Sequence, residues 1–429
     1  MWPPKTCCYP LSVFLKGGFV MGDEFTFENL VLVMGTNPLP NLVVADYFLQ
    51  TNKNLKKIIL IYSESNNKNQ ESTQEQAENL KKLLKTGDKP KYKNKNDFEV
   101  AGIPVADVGS AKSIEEGLTE KLEKALVGKK SLHFNYTGGT KAMVVHAYRF
   151  IERLADMKGI ANEFSYYDGR IFRIVMDNGK GDDYVIPNPY TNQDLRDIVS
   201  ISFKELIELH GFKRDSGKSN NKKKYEGDFF SPLLKEIKNF LSLKDIKDFE
   251  GIEEFKDKVK SFVTKFLDNN EEYKKEADEF ARWVWLERFI HDELKEKIKN
   301  KKLPKINNEK IEVDWDWTIS KEGWGTNFQL DIILIYGFQL YAISCTIEKP
   351  RRECKLKGFE VIHRAIQIGG DEAKAILFTL RPEVEVLKAE LKHETGCDEK
   401  NIMVFGINDL PKARFVQTII ESLQKQKGE

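Results

Sequence analysis

The sequence predicts two α/β units in tandem, joined by a helical connector, in a chain of 429 residues. Three observations carry that expectation. Residues 29–167 alternate apolar runs of strand length with helically spaced segments, the pattern of a mostly parallel sheet covered by helices. Between 188 and 270 the text turns to short amphipathic stretches around a Lys-, Asn- and Ser-rich segment, 214–224. After Pro304 strand patterns return, interrupted by a helix. The expected division is an N-terminal extension over 1–22, a first α/β domain over 23–187, a connector over 188–275 and a second α/β domain over 276–429.

In the first unit, 29–35 (NLVLVMG) reads as a buried strand and 41–51 as a helix. Strands at 57–62, 103–108 and 132–135 then alternate with helices at 72–84, 113–126 and 140–155, a Rossmann-like order. Gly169-Arg170 turns a hairpin between 164–167 and 171–176. Amphipathic helices are expected at 202–210 and 229–241, and a strong helix at 277–300. Strands follow at 311–319, 329–336, 339–346, 375–379 and 402–406, with a helix at 355–368.

The apolar and charged fractions, 40% and 31%, are those of a soluble globular protein, and 68 basic residues nearly cancel 67 acidic ones. No overall basic charge therefore announces a nucleic-acid partner, and local patches such as Lys222–Lys224 or Lys355 with Lys357 would have to hold one. Five cysteines, at 7, 8, 345, 354 and 397, show no metal-ligand spacing. They fit a reducing, cytoplasmic compartment. Pro3, Pro4 and Pro10 break the mildly apolar start, which makes a poor signal peptide, and no membrane span is expected.

Two loops follow first-unit strands at the end where open α/β sheets bind ligands. One holds Thr36 and Asn37; the other is Tyr136-Thr137-Gly138-Gly139-Thr140-Lys141. The glycines allow close backbone approach, the helix start offers N–H groups to an anion, and Lys141 adds a positive charge. A purely structural Gly-Gly turn explains the loop about as well. Walker A spacing and Gly-x-Gly-x-x-Gly are both missing from it. The run from Asn135 to Met143, Asn-Tyr-Thr-Gly-Gly-Thr-Lys-Ala-Met, resembles the signature of CARF domains, Rossmann-like sensors in CRISPR-associated proteins that bind cyclic oligoadenylates across a two-fold axis. The resemblance implies a homodimer with Thr137, Gly138, Gly139, Thr140 and Lys141 on the ligand, then Thr36 and Asn37, with Ser63 after the second strand as a further candidate.

In the second unit, a two-residue turn at Gly337-Phe338 pairs Tyr336 with Gln339 and sets Asp331 across from Ser344. Thr346 shares the face of Ser344. On the helix at 277–300, Phe280, Trp283, Val284, Glu287, His291, Leu294 and Ile298 form one stripe, so Glu287 interrupts an apolar face. A buried carboxylate needs a partner: either a structural ion pair, with His291 or another basic group, or a metal shared with Asp331. On the next helix Glu360 and His363 share a stripe with Leu356 and Gln367, and Lys355 and Lys357 stand near its start.

Trp285-Leu286-Glu287, the Leu330-Asp331 of the hairpin and the run from Lys355 to Gly370 resemble the PD-(D/E)xK domain of CARF–nuclease fusions, a restriction-endonuclease-like α/β fold. The resemblance implies cleavage of DNA or RNA, activated by a cyclic oligoadenylate (tetra-adenylate favoured), with Mg²⁺ or Mn²⁺ held by carboxylates. Ser344 and Thr346 occupy the family's Glu-x-Lys positions. Glu360 on the helix would replace the carboxylate, giving a metal shell of Glu287, Asp331 and Glu360 assisted by Lys355 or Lys357 and His363. A sensor with an inactive nuclease domain, or a CARF domain that degrades its own ligand, are the other readings. An Arg and a His at the spacing of HEPN ribonucleases, and a Gly-x-Ser-x-Gly elbow, are missing from the sequence.

Overall fold

The computed structural model describes residues 25–64, 72–85, 98–126, 131–177, 183–188, 193–215, 225, 230–243, 252–267, 273–300, 307–323, 325, 327–347 and 350–424. The extension at 1–22 and the Lys222–Lys224 run lie outside them. In the first sheet β1 (Asn29–Val33), β2 (Lys57–Ser63), β3 (Glu99–Val105), β4 (Ser131–Asn135) and β5 (Ala161–Asp168) are parallel, in the order β3-β2-β1-β4-β5. Antiparallel β6 (Arg173–Asp177) and β7 (Tyr184–Ile186) extend its edge. Every residue of β1 is buried, as both faces of a helix-covered strand must be. The third strand starts at Glu99, earlier than the apolar pattern suggests, because Glu99 pairs in register with Lys57 and its carboxylate meets Lys57 Nζ at 2.9 Å. Helices α1 (Leu39–Thr51), α2 (Gln74–Lys85), α3 (Ala111–Ala125) and α4 (Lys141–Lys158) cover the sheet.

The second sheet has the order β13-β12-β11-β10-β9-β8. It is built from β8 (Phe212–Arg214), β9 (Ile311–Lys321), β10 (Asn327–Tyr336), β11 (Gln339–Thr346), β12 (Lys374–Thr379) and β13 (Ile402–Phe405). Pairing is antiparallel from β8 to β11 and parallel from β11 to β13. β8 lies in the expected connector, so that segment also contributes a strand. Three residues carry no readable periodicity. The other described elements of the connector are helices: α5 (Leu195–Ile198), α6 (Phe203–Leu209), α7 (Ser231–Leu243), α8 (Ile252–Leu267) and α9 (Lys274–Glu279). α10 (Trp285–Asn300), α11 (Arg351–Gly369), α12 (Val384–Thr395) and α13 (Arg414–Gln424) complete the second unit. Among the described residues no helix is long and apolar enough to cross a membrane.

One continuous apolar core joins the two sheets. It takes in Leu42 and Phe48 of α1, Leu80 of α2, Phe203 of α6, Ile333 and Leu340 of the second sheet, and Val361 and Ile368 of α11. α1 is therefore buried nearly all round, which suits its lack of a polar face. Arg196 pins the junction. Its guanidinium is fully buried, bonds Asp194 at 2.8 Å and Gln339 Oε1 at 2.7 Å, and stacks over Phe172 at 4.1 Å. A buried charge needs such complete pairing. The first unit thus cannot shift without disturbing the second.

Candidate functional site

The chain leaves β1 toward β2 on one side and returns at β4 on the other, so the sheet's switch point lies between β1 and β4. Ligands bind open α/β sheets at such a crevice. Here the β1–α1 and β4–α4 loops line an open cavity of about 610 Å³, to which Thr36, Asn37, Ser63, Thr137, Gly138, Gly139 and Thr140 all contribute. Lys141 is exposed and stands outside the lining.

The glycines have a packing reason. A Cβ on Gly138 would collide with the Val33 carbonyl oxygen, and one on Gly139, at φ +81°, with the Val33 side chain. Only glycine lets this loop lie on the end of β1. Thr137 donates to Asn135 Oδ1 at 2.6 Å and accepts from Tyr167 N at 2.7 Å, so its hydroxyl braces the loop. Thr140 caps α4, accepting from Met143 N at 3.3 Å. Ser63 is buried and engages Thr73 through backbone and hydroxyl.

Two lining residues come from the other sheet. Asp371 and Glu372, in the turn between α11 and β12, are the only charged side chains among the described residues lining this cavity. Burial pushes the Glu372 carboxyl above its usual range, with Asp371 and Asp168 adding to the rise. The Gly369–Glu372 run is visible in the sequence, but nothing there places it beside a loop 330 residues earlier.

A second cavity, about 820 Å³, opens between α10 and α11 at the start of β10 and the end of β11. The hairpin register is the expected one, Tyr336 opposite Gln339 and Ile332 opposite Ile343. Asp331 accepts from Ser344 Oγ at 2.9 Å and from Cys345 N at 2.7 Å, both at Oδ2. Glu287 reaches the same cavity from α10, and its Oε2 is buried without a hydrogen-bond partner. The alternative ion pair is not formed with His291, which turns instead to Asp292 at 2.8 Å. Burial pushes Glu287 well above the carboxylate range, and the charges of Asp331 and Asp316 push it further. Asp331 is also raised, chiefly by burial, against the opposing pull of the Cys345 N–H, Lys357 and Ser344.

Lys357 lines the cavity beside this pair. Burial lowers its ammonium's pKa, but Asp331, Glu360 and Glu287 together raise it. Glu360 stands at the mouth, about two-fifths exposed, with Lys357 Nζ 3.4 Å away. The other expected helpers fall elsewhere. Lys355 pairs with Glu394 of α12 at 2.8 Å, and His363 is exposed; neither lines the cavity. Both lie on turns of α11 that the 3.6-residue period carries away from Lys357. Thr346 lines the cavity, whereas Ser344 acts through Asp331.

The expected stripe on the 277–300 helix also needs correction. A π turn, Phe280–Val284, interrupts it, and the extra residue shifts the phase. Trp283 therefore swings out to 53% exposure at the cavity mouth while Trp285 is buried. Asp316, missed in the sequence, adds a buried carboxylate from β9 at φ +55°.

Carboxylate oxygens suit Mg²⁺ or Mn²⁺, and an orphaned buried Glu287 oxygen beside a second raised carboxylate fits such a cation. Glu287, Asp331 and Glu360 share the cavity, yet among the described residues no three His, Cys, Asp or Glu side chains converge as a ready metal cluster. Lys357 holds Glu360 at the rim.

Residues 30–162 match the Card1 CARF domain family. The N-terminal domain is a CARF domain. Over nearly the whole chain the fold is shared with two solved structures. Protein VC1899 from Vibrio cholerae aligns with a TM-score of 0.61 at 14% identity, covering 93% of this chain and 98% of that one. Can2 from Sulfobacillus thermosulfidooxidans, solved in complex with cyclic tetra-adenylate, aligns with a TM-score of 0.55 at 16% identity, covering 94% and 99%. At these identities the likeness is one of fold. No curated protein sequence matches the chain. The CARF domain thus carries the switch-point cavity, and the second sheet carries the carboxylate cavity.

Proposed function

We propose that this chain is a cytoplasmic CRISPR-defence effector that binds a cyclic oligoadenylate through its CARF domain and, once activated, cleaves DNA or RNA with Mg²⁺ or Mn²⁺. Cyclic tetra-adenylate is the favoured ligand, since the Can2 fold was solved with it. A homodimer would bring two switch-point cavities to one ring. The sensor spans 23–187, the connector 188–275 and the nuclease domain 276–429. The observation that carries the reading is Lys357, which reaches the Asp331–Glu287 cavity from a helix and supplies the cation that Thr346 lacks.

In the sensor, N–H groups at the start of α4 and the Thr36 and Thr140 hydroxyls receive phosphate oxygens. In the nuclease cavity, Glu287 and Asp331 are the groups that would hold the metal, with Glu360 as a third carboxylate at the rim. A bound divalent cation would polarise the phosphate and offset the charge that builds on it. Ser344 and the Cys345 N–H both donate to Asp331 Oδ2, which would leave Oδ1 for such a cation. Lys357 orients the attacking water and offsets charge on the scissile phosphate. Burial, then Asp331 and Glu287, push the Cys345 thiol well above its usual range, which disfavours the thiolate.

The test is cleavage of supercoiled DNA and single-stranded RNA with Mn²⁺, with and without cyclic tetra-adenylate. Ligand-dependent cleavage that fails in Asp331→Ala is expected. Tight ligand binding with no cleavage in Mn²⁺, or in Mg²⁺ put in its place, would instead identify a sensor with an inactive nuclease domain, the reading that Ser344 and Thr346 favour. Loss of intact ligand would identify a CARF domain that degrades it.

A further inference from the structure

The two cavities are connected by a single helix. α11 runs unbroken from Arg351 to Gly369, about 27 Å at 1.5 Å per residue. Lys357 and Glu360, in its first half, face the carboxylate cavity. Just past its end, Asp371 and Glu372 face the CARF cavity. That end is held directly by the CARF domain. A Cβ on Gly370, at φ +74°, would strike Asn37 Nδ2, and one on Gly169 would strike the Glu372 carboxylate. On its other side the turn is tied to the second sheet: Gln339 Nε2 donates to Glu372 O at 2.9 Å, and Asn401 Nδ2 to Asp371 O at 2.8 Å.

The charges oppose the ligand of the preceding section. A cyclic oligoadenylate carries one negative charge per phosphodiester, and the only charged side chains lining its cavity, among the described residues, are two carboxylates. Like charges repel most in a partly desolvated crevice. Phosphates drawn to the α4 N–H groups and the acidic turn therefore cannot both keep their places.

We propose that the Gly370-Asp371-Glu372 turn is the contact through which ligand occupancy regulates the nuclease cavity. Resting on the function proposed above, this assigns the turn as an autoinhibitory plug in the CARF pocket. Ligand phosphates displace it, the end of α11 moves with it, and Lys357 and Glu360 shift at the other end. A helix packed along its length moves as a body, so a small displacement is carried rather than absorbed. The ligand shifts the equilibrium only by its preference for the displaced arrangement, and removing the carboxylates should provide that preference in advance.

The experiment uses the full-length protein and three chains: wild type, the near-isosteric Glu372→Gln, and Asp371→Asn/Glu372→Gln. Cyclic tetra-adenylate affinity is measured by calorimetry. Hydrogen exchange over 351–369 is followed with and without ligand, which needs no catalysis. The wild type should change its exchange near Lys357 when ligand binds. Each variant should bind ligand at least fivefold more tightly and show the liganded exchange pattern before ligand is added. Unchanged affinity with a wild-type exchange response overturns the proposal. Weakened affinity overturns it too, because the carboxylates would then be acceptors for the ligand's amino or hydroxyl groups. A wild type that binds no cyclic tetra-adenylate takes the proposed function down with it, whereas failure confined to the variants removes the plug alone.

Discussion

Glu287→Gln should stabilise the metal-free protein. Glu287 is 9% exposed, has a buried oxygen with no hydrogen-bond partner, and is pushed well above the ordinary value of 4.5 by burial and by Asp331 and Asp316. An unsatisfied buried polar group costs about 1–3 kcal/mol, and each tenfold in proton affinity is worth about 1.4 kcal/mol. Glutamine keeps the shape, removes the charge and adds an N–H that can donate to Asp331. We expect a gain of about 1–3 kcal/mol near neutral pH, read as a rise of about 2–12 °C in Tm at roughly 2–4 °C per kcal/mol. The pH dependence fixes the sign. A folded pKa above the unfolded one means that the folded state binds more protons between them. This contribution is fully present below 4.5 and is lost as pH rises through the folded value. The wild-type minus variant difference in stability should therefore fall as pH climbs from 4.5, and added Mn²⁺ should raise the wild type more than the variant. Thermal melting across pH, with and without Mn²⁺, measures both. Equal Tm values with parallel pH profiles would refute the reasoning, because Glu287 would then be satisfied in the folded protein.

Lys357→Ala should reduce metal-dependent cleavage by about 10²-fold or more, while Lys355→Ala, which loses only a surface pair with Glu394, should change it little; initial cleavage rates compare them. Adding Thr346→Lys to Lys357→Ala should recover part of the lost rate, because both positions line one cavity. Gly139→Ala forces a left-handed residue against Val33 and should cost about 1–3 kcal/mol or more in urea unfolding. Trp285→Ala should cost about 3–5 kcal/mol by the same measurement, and Trp283→Ala, 53% exposed, less than about 1 kcal/mol.

The parts of the fold that were legible in sequence are those whose signal is local. The buried run of β1, the hairpin register that sets Asp331 against Ser344, and Thr140 as the cap of α4 all follow from neighbours a few residues apart. The misses need distant information. Trp283 fits the apolar stripe at 3.6 residues per turn, and only the π turn, stabilised by packing, rotates it out. Asp316 sits between two tryptophans in a strand pattern, and nothing local announces its left-handed backbone or its closeness in charge to Glu287. The apolar spacing of α13, at Phe415, Ile419 and Leu423, is itself a local signal. Lys355 and Lys357 looked equivalent in sequence. Two residues apart on a helix, they differ by about 200° around its axis, so one meets Asp331 and the other Glu394.

Hydroxyls at Ser344 and Thr346 do not by themselves mark a dead site. Were the cavity only a relic, folding would favour its neutralisation, since Glu287 and Asp331 crowd each other at a cost that no part of the core requires. Ser344 does not relieve this cost. By donating to Asp331 Oδ2 it stabilises the charged form, as do the Cys345 N–H and Lys357. Two donors and the Lys357 charge thus favour the ionised form of one carboxylate where burial, the larger effect, opposes it, and a second carboxylate in the same cavity has a buried oxygen without a hydrogen-bond partner. That combination destabilises a protein that only packs and serves one that receives a cation. On the proposed function α11 would supply the lysine that β11 lacks, and the turn just past the end of α11 lines the CARF cavity. If that replacement operates, it has a consequence for control: a cation on β11 would be fixed in the sheet, whereas one on α11 would move with any displacement of the helix's far end.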